Sequence, residues 1–477
     1  GKAAVACRLG VGRDGIAELK IGRHELEEII GELAELPDLW DFVSGSWAED
    51  SRTSRFGPEA EQEAHVAGLK SLTSKPVVGV GRFTSPDEMV RQIRSGILDF
   101  IGAARPSIAD PFLPQKIREG RLAEIRECIG CNICVSGDHT MSPIRCTQNP
   151  TMGEEWRRGW HPERLRERTS GERILVVGGG PSGLEAATSL GRRGYQVTLL
   201  EESRELGGRV RAESRLPGLA AWIRVVDYRE RLLGSLPTVE HYLQSPTSAE
   251  DVLDFGFDHA VIATGATWRR DGVGRTNVDP IAWEAPDGVL TAEDLFAGVR
   301  PARTDLPVVV YDDDHYYLGG VLAELLAREG YPVRLITPAA SVSAWTANTM
   351  ELTAIRRRLV GLGVQVSVEE VLTGIGPGTA TTACVFTDEQ RTHPAQAVVL
   401  VTSRSSRGSL YAELEERRGE WAAAGLKSVT CIGDALAPGT IAAAVWSGRR
   451  FAEEIDVERN PAVVPFRREV TRLALLD

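Results

Sequence analysis

The sequence predicts an α/β protein in which half of a (β/α)8 TIM barrel is followed by a cysteine-rich segment and two Rossmann-like domains. Three observations support this fold class: strand-then-helix repeats at the N-terminus, four cysteines between 128 and 146, and a glycine-rich turn after residue 177. A length of 477 residues with 42% hydrophobic composition is enough for more than one core. The predicted boundaries are 1–125 for the half-barrel, 126–165 for the cysteine segment, 166–275 with 395–477 for the first nucleotide domain, and 276–394 for a second domain inserted in it.

The N-terminal region alternates strands and helices in the manner of a parallel barrel. Strands are predicted at 3–9, 39–44, 76–80 and 99–103, and helices at 24–36, 58–72, 86–97 and 111–119. A closed (β/α)8 barrel needs eight strands, so half of the barrel is missing from this sequence. Since an open half would leave its edges and an apolar face uncovered, we expect a truncated chain or a second polypeptide that supplies the other half.

Four cysteines have the spacing of an iron–sulfur motif: Cys128, Cys131, Cys134 and Cys146. A tight loop with three-residue spacing aims three thiolates at one point, and the longer return brings the fourth, which is typical of a [4Fe-4S] cluster. Zinc is the alternative, although structural zinc sites usually have two separated ligand pairs. The remaining three cysteines show no disulfide pattern, which indicates a reducing, cytoplasmic setting.

Charge and hydropathy exclude some classes of partner. A net charge of -12 disfavours nucleic acid and anionic membranes. No apolar run is long enough to span a bilayer. We therefore predict that this protein binds neither nucleic acid nor a membrane.

A glycine-rich turn follows a short apolar strand at 173–177. In a dinucleotide-binding domain, Gly178 would allow the tight turn, Gly180 the approach of a pyrophosphate and Gly183 the close packing of the next helix. We therefore predict an adenine-nucleotide site here.

The rest of this site is predicted from the following strands. The strand at 196–200 ends in Glu201, where a carboxylate can accept hydrogen bonds from an adenosine ribose. The other candidate nucleotide-binding residues are Pro181, Ser182, Gly207, Thr264, Gly265 and Asp434.

A second strand of this kind, at 307–310, is not followed by a glycine-rich turn. Asp312, Asp313 and Asp314 stand where phosphate oxygens would lie, and carboxylates repel phosphate. We predict that these residues form a solvated acidic loop and that the second domain does not bind NAD(P)H.

Taken together, several segments resemble the trimethylamine dehydrogenase and histamine dehydrogenase family. They are 101–111, the cysteine motif, 146–150, 159–162 and the nucleotide domain, and the resemblance covers essentially all 477 residues. Members of this family are iron–sulfur flavoproteins that join an old-yellow-enzyme-like barrel to a half like the nucleotide-disulfide reductases. The resemblance implies FMN in the barrel, a [4Fe-4S] cluster, ADP rather than FAD in the nucleotide site, and a homodimer. It also implies that roughly the first 200 residues of a family member are absent here.

The resemblance assigns flavin-binding residues. Gly81 and Arg82 after the seventh barrel strand, and Ala104 and Arg105 after the eighth, match the FMN phosphate site of the family. Loops at these positions usually seat phosphate in barrels. Arg8 matches the arginine at the flavin pyrimidine edge, and a plain salt bridge is its alternative role.

The resemblance also assigns substrate-binding residues. Trp47 matches an aromatic wall that holds an alkylammonium group by cation–π attraction, and Asp50 matches the family's acidic residue at the same spacing. Asp138 stands where trimethylamine dehydrogenase has another tryptophan. A carboxylate there suits a second polar or cationic group, which favours a histamine-like amine. Alternatively, Asp138 and His139 only cap a surface loop.

The implied reaction is oxidation of a primary amine to an aldehyde and ammonia. Electrons would pass from FMN through the cluster to a protein acceptor such as an electron-transferring flavoprotein. One alternative is an NADPH-dependent 2,4-dienoyl-CoA or enoate reductase, which would need an intact second glycine loop. The other is a cluster-bearing electron-transfer subunit that needs a partner chain.

Overall fold

The computed structural model describes residues 3–12, 15–16 (backbone only), 21–284 and 288–457. The chain forms two compact units. The first comprises 1–136, 212–224 and 267–405, and the second comprises 137–211, 225–266 and 406–477. Residues 458–477 of the predicted first nucleotide domain lie outside the described residues.

The N-terminal region is the predicted half-barrel. Its elements are β1 (Ala6–Gly10), β2 (Gly15–Ile16), β3 (Ile21–Gly22), α1 (Arg23–Leu33), β4 (Leu39–Val43), α2 (Trp47–Asp50), α3 (Glu63–Val66), β5 (Val77–Gly79), α4 (Pro86–Arg94), β6 (Phe100–Ile101), α5 (Ala104–Ala109) and α6 (Leu113–Arg118). Among the described residues, β1, β4, β5 and β6 form a parallel sheet in that order. Alternation along β4 places Trp40 and Phe42 on the buried face, where they pack in one core with Leu26 and Ile30 of α1.

One helix prediction in this region is wrong. Instead of a continuous helix over 58–72, the chain forms only α3 and a separate 3-10 turn at Leu69–Leu72. Gly68 between them has a left-handed backbone with φ of 88°, which a regular helix cannot contain.

Two short helices follow the half-barrel: α7 (Ile133–His139) and α8 (Glu155–Arg158). Cys134 and Asp138 both lie on α7.

The first nucleotide domain is a parallel sheet flanked by helices. Its elements are β7 (Arg173–Val177), α9 (Pro181–Arg193), β8 (Gln196–Leu200), α10 (Gly208–Glu213), α11 (Arg224–Gly234), β9 (Val239–Tyr242), α12 (Ala249–Asp254), β10 (His259–Ile262) and β11 (Ala266–Trp268). The strand order is β22-β10-β7-β8-β9, in which β22 (Ser428–Cys431), the last of the described strands, lies at the edge of the sheet. Helix α9 begins at Pro181, because proline is favourable in the first turn of a helix and Gly180 serves as its N-cap.

The second Rossmann-like domain follows. Its elements are β12 (Ala282–Trp283), β13 (Val289–Thr291), α13 (Ala292–Phe296), β14 (Val308–Asp312), α14 (Tyr317–Arg328), β15 (Val333–Thr337), α15 (Leu352–Gly361), β16 (Gln365–Val368), β17 (Glu370–Gly376), β18 (Thr379–Cys384), β19 (Gln390–Pro394), β20 (Ala397–Val401) and β21 (Arg404–Ser406). Its parallel sheet has the order β13-β20-β14-β15-β16, and β12, β17, β18 and β19 form a separate sheet. The described chain ends with α16 (Ser409–Glu416), α17 (Trp421–Ala424), β22 (Ser428–Cys431) and α18 (Ile441–Glu454).

Within the first unit, buried polar groups join the half-barrel to the second Rossmann-like domain. Arg55 Nη2 lies 3.0 Å from Glu324 Oε2, and both side chains are almost fully buried. The Thr53 hydroxyl donates to Glu351 Oε1 at 2.9 Å. These contacts link segments of the first unit that are distant in sequence.

No helix within the described residues is both long and apolar enough to cross a membrane.

Candidate functional site

The cysteine loop of the first unit has a tight and irregular backbone. Gly130 and Asn132 have left-handed φ values of 63° and 55°. The Gly130 N–H donates to Cys128 Sγ at 3.3 Å. A side chain at Gly130 would lie 2.8 Å from the backbone nitrogen of Ser54, so only glycine fits there.

The fourth cysteine of the motif belongs to the second unit. The Gln148 N–H donates to Cys146 Sγ at 3.4 Å. Hydrogen bonds from backbone N–H groups stabilise thiolates, so the surroundings of Cys128 and Cys146 suit sulfur ligands.

No three His, Cys, Asp or Glu side chains in the described part of the chain are grouped as metal ligands. The described cysteines form no disulfide bond. The [4Fe-4S] cluster therefore stays a prediction from the cysteine spacing.

Barrel loops hold the cysteine loop in place. The Cys128 N–H donates to Thr84 Oγ1 at 2.7 Å, and Thr84 follows β5. The Ser54 hydroxyl donates to the Ile129 carbonyl at 2.6 Å. The loop after β5, where we predict a flavin phosphate, thus directly contacts the cysteine loop.

Arg82 lies buried between these two loops. Its Nη2 donates to the Gly57 carbonyl at 2.9 Å, while its buried Nε has no hydrogen-bond partner among the described residues. Burial lowers the pKa of the Arg82 guanidinium, and Cys128 acts in the opposite direction. This buried N–H, which lies next to the loop of Gly81, can donate a hydrogen bond to an anion such as a phosphate.

Arg105, next to the exposed Ala104 on α5, joins the barrel to the cysteine loop. Its Nη1 donates to the Ser51 and Arg52 carbonyls at 3.0 Å each and to Asn132 Oδ1 at 2.7 Å. Three acceptors on one nitrogen give Arg105 a structural role in addition to the predicted phosphate role. The sequence offered no signal for this contact, because Asn132 is an ordinary residue of the cysteine motif.

The other predicted barrel residues lie near the ends of β1 and β4. Arg8 is exposed and its Nε donates to Asp41 Oδ2 at 2.6 Å. Trp47 begins α2, capped by Ser46, and is 47% exposed. Asp50 on the same helix accepts from Gln62 Nε2 at 2.8 Å. Trp47 and Asp50 therefore stand within one helical turn of each other.

Asp138 is exposed near the end of α7, in the second unit. The predicted substrate residues are thus divided between the two units.

The second unit contains a cavity of about 270 Å³ at the carboxyl ends of its parallel strands. Its lining includes predicted nucleotide-binding residues and several that were not predicted: Gly178, Gly180, Pro181, Ser182, Glu201, Glu202, Arg209, Thr264, Gly265, Arg407 and Asp434. Carboxyl-end crevices of this kind are where open α/β sheets bind ligands.

The glycines of the turn have distinct steric roles. Gly178 has φ of 108°, and a side chain on it would meet the Ala263 carbonyl. A side chain on Gly183 would overlap the Gly178 carbonyl, whereas Gly180 faces open space. Gly180 therefore leaves room for a ligand at the start of α9, where backbone N–H groups attract anions.

Glu201 holds the turn as well as facing the cavity. Its Oε2 accepts from the Gly179 N–H at 2.6 Å and its Oε1 from the Ser203 N–H at 2.8 Å. Each carboxylate oxygen has a second lone pair, so Glu201 can still accept from a ribose hydroxyl.

Two arginines that the sequence prediction missed line this cavity. Arg407 Nη1 pairs with Glu202 at 2.6 Å. Arg209 Nε pairs with Asp434 Oδ2 at 3.2 Å. The position of Arg209 directly after Gly207 and Gly208 was an available signal, since a basic residue beside a phosphate loop can bind anions.

The predicted solvated acidic loop is wrong. Asp312 is the last residue of β14, in register with Val401, and Asp312 and Asp313 are fully buried. Burial, with the nearby Asp314, raises the pKa of Asp312 to about 7. Burial opposes ionisation of Asp313, but its bonds with His315 and Thr276 outweigh this and lower its pKa.

Asp312 and Asp313 occupy the position, after β14, at which a dinucleotide-binding domain has its glycine-rich loop. A side chain on Gly319 would come within 2.5 Å of Asp312 Cγ, and one on Gly274 within 2.3 Å of Asp313 Oδ2. The carboxylates therefore pack against the chain instead of reaching solvent.

Two parts of the chain match family models. Residues 3–124 match the NADH:flavin oxidoreductase / NADH oxidase family. Residues 176–245 match the NAD(P)-binding Rossmann-like domain.

Similar whole proteins are amine-oxidising enzymes by name. The chain is 40% identical to dimethylamine dehydrogenase of Hyphomicrobium sp. (strain x) over 461 residues, which are 91% of this chain and 62% of that protein. The chain thus spans less than two thirds of that relative's length. The solved structure of histamine dehydrogenase from Rhizobium sp. 4-9 is 52% identical with a TM-score of 0.96, covering 98% of this chain and 68% of that one.

A third match is the structure of 6-hydroxypseudooxynicotine amine oxidase from Pseudomonas geniculata N1. It is 46% identical with a TM-score of 0.89 and covers 95% of this chain and 67% of that one. Identity at this level over nearly the whole chain confirms the resemblance drawn from the sequence motifs. The chain belongs to the trimethylamine dehydrogenase and histamine dehydrogenase family of flavoprotein oxidoreductases.

Proposed function

We propose that this chain is the electron-transferring part of an amine dehydrogenase that oxidises a histamine-like primary amine to an aldehyde and ammonia. The observation that carries the proposal is the direct attachment of the cysteine loop to the predicted flavin-phosphate loop, through Thr84 and Arg82. Such an attachment keeps two redox groups close together, as electron transfer between them requires.

The residues present fit FMN. Gly81, Arg82, Ala104 and Arg105 would hold its phosphate, and the buried unpartnered Nε of Arg82 supports this assignment. Arg8 would face the pyrimidine edge, where a positive charge stabilises an anionic reduced flavin. When bound, FMN supplies the acceptor for an electron pair from the amine carbon.

The donor set also suits a [4Fe-4S] cluster, with Cys128, Cys131, Cys134 and Cys146 as ligands. The N–H groups of Gly130 and Gln148 already point at sulfur atoms of this set. Such a cluster supplies one-electron steps toward a protein acceptor such as an electron-transferring flavoprotein.

The cavity of the second unit suits ADP. Glu201 would bind the ribose, and the N-terminus of α9 would bind the diphosphate next to Gly180. ADP has no reactive ring, so its role would be structural.

The substrate residues are proposed from the family. Trp47 would attract the alkylammonium group, and Asp50 would orient further active-site groups. Asp138 would accept the imidazole or a distal ammonium of the amine. The missing half-barrel, from the same gene product or another chain, would complete the pocket, and we propose a homodimeric cytoplasmic enzyme.

The buried aspartates favour this function over an NADPH-dependent reductase. With Asp312 and Asp313 packed against Gly319 and Gly274, the second domain has no glycine loop for a pyrophosphate. Electrons would therefore enter from the amine.

Replacing Asp138 by asparagine tests the substrate assignment. In the full-length holoenzyme, we expect D138N to raise the KM for histamine about tenfold, because a charged hydrogen bond contributes about 1.5–3 kcal/mol. The KM for a primary monoamine without a second polar group, such as n-butylamine, should stay unchanged. Steady-state assays with a dye acceptor measure both values.

His139→Gln is the matched control, since it alters the same exposed end of α7 without removing the carboxylate. It should leave both constants unchanged. If D138N changed the KM for both amines equally, Asp138 would instead have a role in the local structure of α7.

A further inference from the structure

Gln62 is a buried side chain that contacts helix α2 from the segment before α3. It is 3% exposed and immediately precedes α3. Its Nε2 donates to Asp50 Oδ1 at 2.8 Å, and its Oε1 accepts from the Ser44 N–H at 3.0 Å. Ser44 directly follows β4, and Asp50 is the last residue of α2. One side-chain amide therefore joins the end of a barrel strand to the carboxylate of Asp50.

The orientation of this amide is fixed by its two partners. A backbone N–H can only donate, so the N–H of the buried Ser44 must face the amide oxygen. The amide nitrogen then points at Asp50, whose carboxylate accepts. Exchanging the two amide atoms would place oxygen against oxygen at Asp50 and leave the Ser44 N–H buried without an acceptor. Gln62 therefore presents a donor to Asp50.

The main chain at the end of α2 is fixed by other groups. Arg105 Nη2 donates to the Asp50 carbonyl at 3.4 Å, and its Nη1 donates to the Ser51 carbonyl at 3.0 Å. The Asp50 N–H donates to the Ser46 carbonyl at 2.9 Å. These bonds hold the backbone, but they do not restrict rotation of the Asp50 carboxylate about its side-chain bonds. The hydrogen bond from Gln62 restricts that rotation.

The segment that carries Gln62 is itself held against the loop after β5. The Ala60 N–H donates to the Gly81 carbonyl at 2.9 Å, and Ala60 has a left-handed φ of 56°. A side chain on Gly81 would lie 3.1 Å from Ala60 Cα, so glycine permits this close approach. Gln62 thus follows by two residues a direct contact with the loop that we predict to bind the flavin phosphate.

We propose that Gln62 is a positioning residue for amine oxidation that holds the Asp50 carboxylate in one orientation, an inference that rests on the proposed role of Asp50. With Oδ1 engaged by Gln62, Asp50 Oδ2 has no hydrogen-bond partner in the part of the chain that the structure describes. This oxygen is available to accept from the active-site groups that Asp50 would orient. Because an amide donates without a charge of its own, Gln62 fixes the carboxylate and leaves its negative charge uncompensated.

Gln62→Glu in the full-length holoenzyme tests the proposal. This change keeps the size of the side chain and the acceptor for the Ser44 N–H, but it replaces the donor to Asp50 by a carboxylate oxygen. Stopped-flow absorbance with histamine measures the limiting rate of flavin bleaching and the amine concentration that gives half of that rate. We expect the limiting rate to fall about ten- to a hundredfold, as for loss of a charged hydrogen bond, and the half-saturating concentration to change less than about twofold.

A double variant separates positioning from a general effect on the fold. If Gln62 acts through Asp50, Q62E should lower the limiting rate no further in a D50N background, because the group that it positions is already lost. A further loss by the same factor in that background would overturn the proposal, and so would a normal limiting rate in Q62E alone. Gln62→Asn, whose amide is too short to reach both partners, replaces Q62E in this cycle if Q62E does not fold. A normal limiting rate in D50N would show instead that the proposed role of Asp50 is wrong.

Gln92→Glu is the matched control. Gln92 is a fully buried glutamine on α4, and its Nε2 donates to Glu63 Oε2 at 2.7 Å and to Glu88 Oε1 at 3.0 Å. The same exchange therefore places a new carboxylate against α3 without changing a bond to Asp50. It should lower the free energy of unfolding and leave the limiting rate unchanged. Equal losses of rate in Q92E and Q62E would overturn the proposal.

Discussion

Replacing Cys131 by alanine is expected to reduce electron transfer to an external acceptor to the background rate, while the amine still bleaches the flavin. A [4Fe-4S] cluster needs four thiolate ligands, and Cys131 is the middle one of the three-cysteine loop. Arg82 and Arg105, which we propose bind the flavin phosphate, are kept in this variant, so the reductive half-reaction should persist. Stopped-flow absorbance of the full-length enzyme separates flavin bleaching from acceptor reduction.

Cys384→Ala is the control, because this cysteine lies at the end of β18, outside the motif. This variant should leave both flavin bleaching and acceptor reduction unchanged. Normal acceptor reduction by the Cys131 variant would contradict the relay role of the cluster, and loss of flavin bleaching would show that the cysteine loop is also needed to hold FMN.

Replacing Arg55 by leucine is expected to destabilise the first unit by up to about 3–5 kcal/mol, because it removes the buried partner of Glu324 and leaves that carboxylate only the more exposed Arg328 and Arg358. Arg55 and Glu324 are 2% and 0% exposed, and they join the half-barrel to the second Rossmann-like domain. Denaturant unfolding monitored by tryptophan fluorescence measures the change.

Arg328→Leu removes a second partner of the same carboxylate and serves as the control. Arg328 Nη2 lies 2.7 Å from Glu324 Oε1 but is 53% exposed, so its loss should cost at most about 1 kcal/mol. If both variants lowered the free energy of unfolding equally, the buried Arg55–Glu324 pair would not be what holds the half-barrel to the second Rossmann-like domain.

Much of the fold follows from local patterns. The strands at 173–177 and 196–200 were predicted with their observed bounds, because short apolar runs next to glycine turns mark buried parallel strands. The helix over 58–72 failed because Gly68 breaks it, and helical propensity alone does not reveal a left-handed residue.

The candidate site was less predictable, because its contacts join distant segments. The glycine turn and Glu201 were recognisable from their spacing, and both line the cavity. Asp312 is buried in the sheet beside Val401 of the neighbouring strand. The position of the Arg105 guanidinium depends on its hydrogen bond to Asn132. Sequence neighbours carry no trace of such pairings, so the sequence alone indicates neither the burial of these aspartates nor the place of Arg209 in the cavity.

FMN, ADP and a four-iron cluster are the groups that we propose this chain carries. Acid release of bound groups from the purified full-length protein, with chromatographic identification and iron and sulfide analysis, tests this proposal most directly. We predict FMN and ADP without FAD, together with about four iron and four sulfide per chain. Release of FAD in place of ADP, or of zinc in place of iron, would contradict the account.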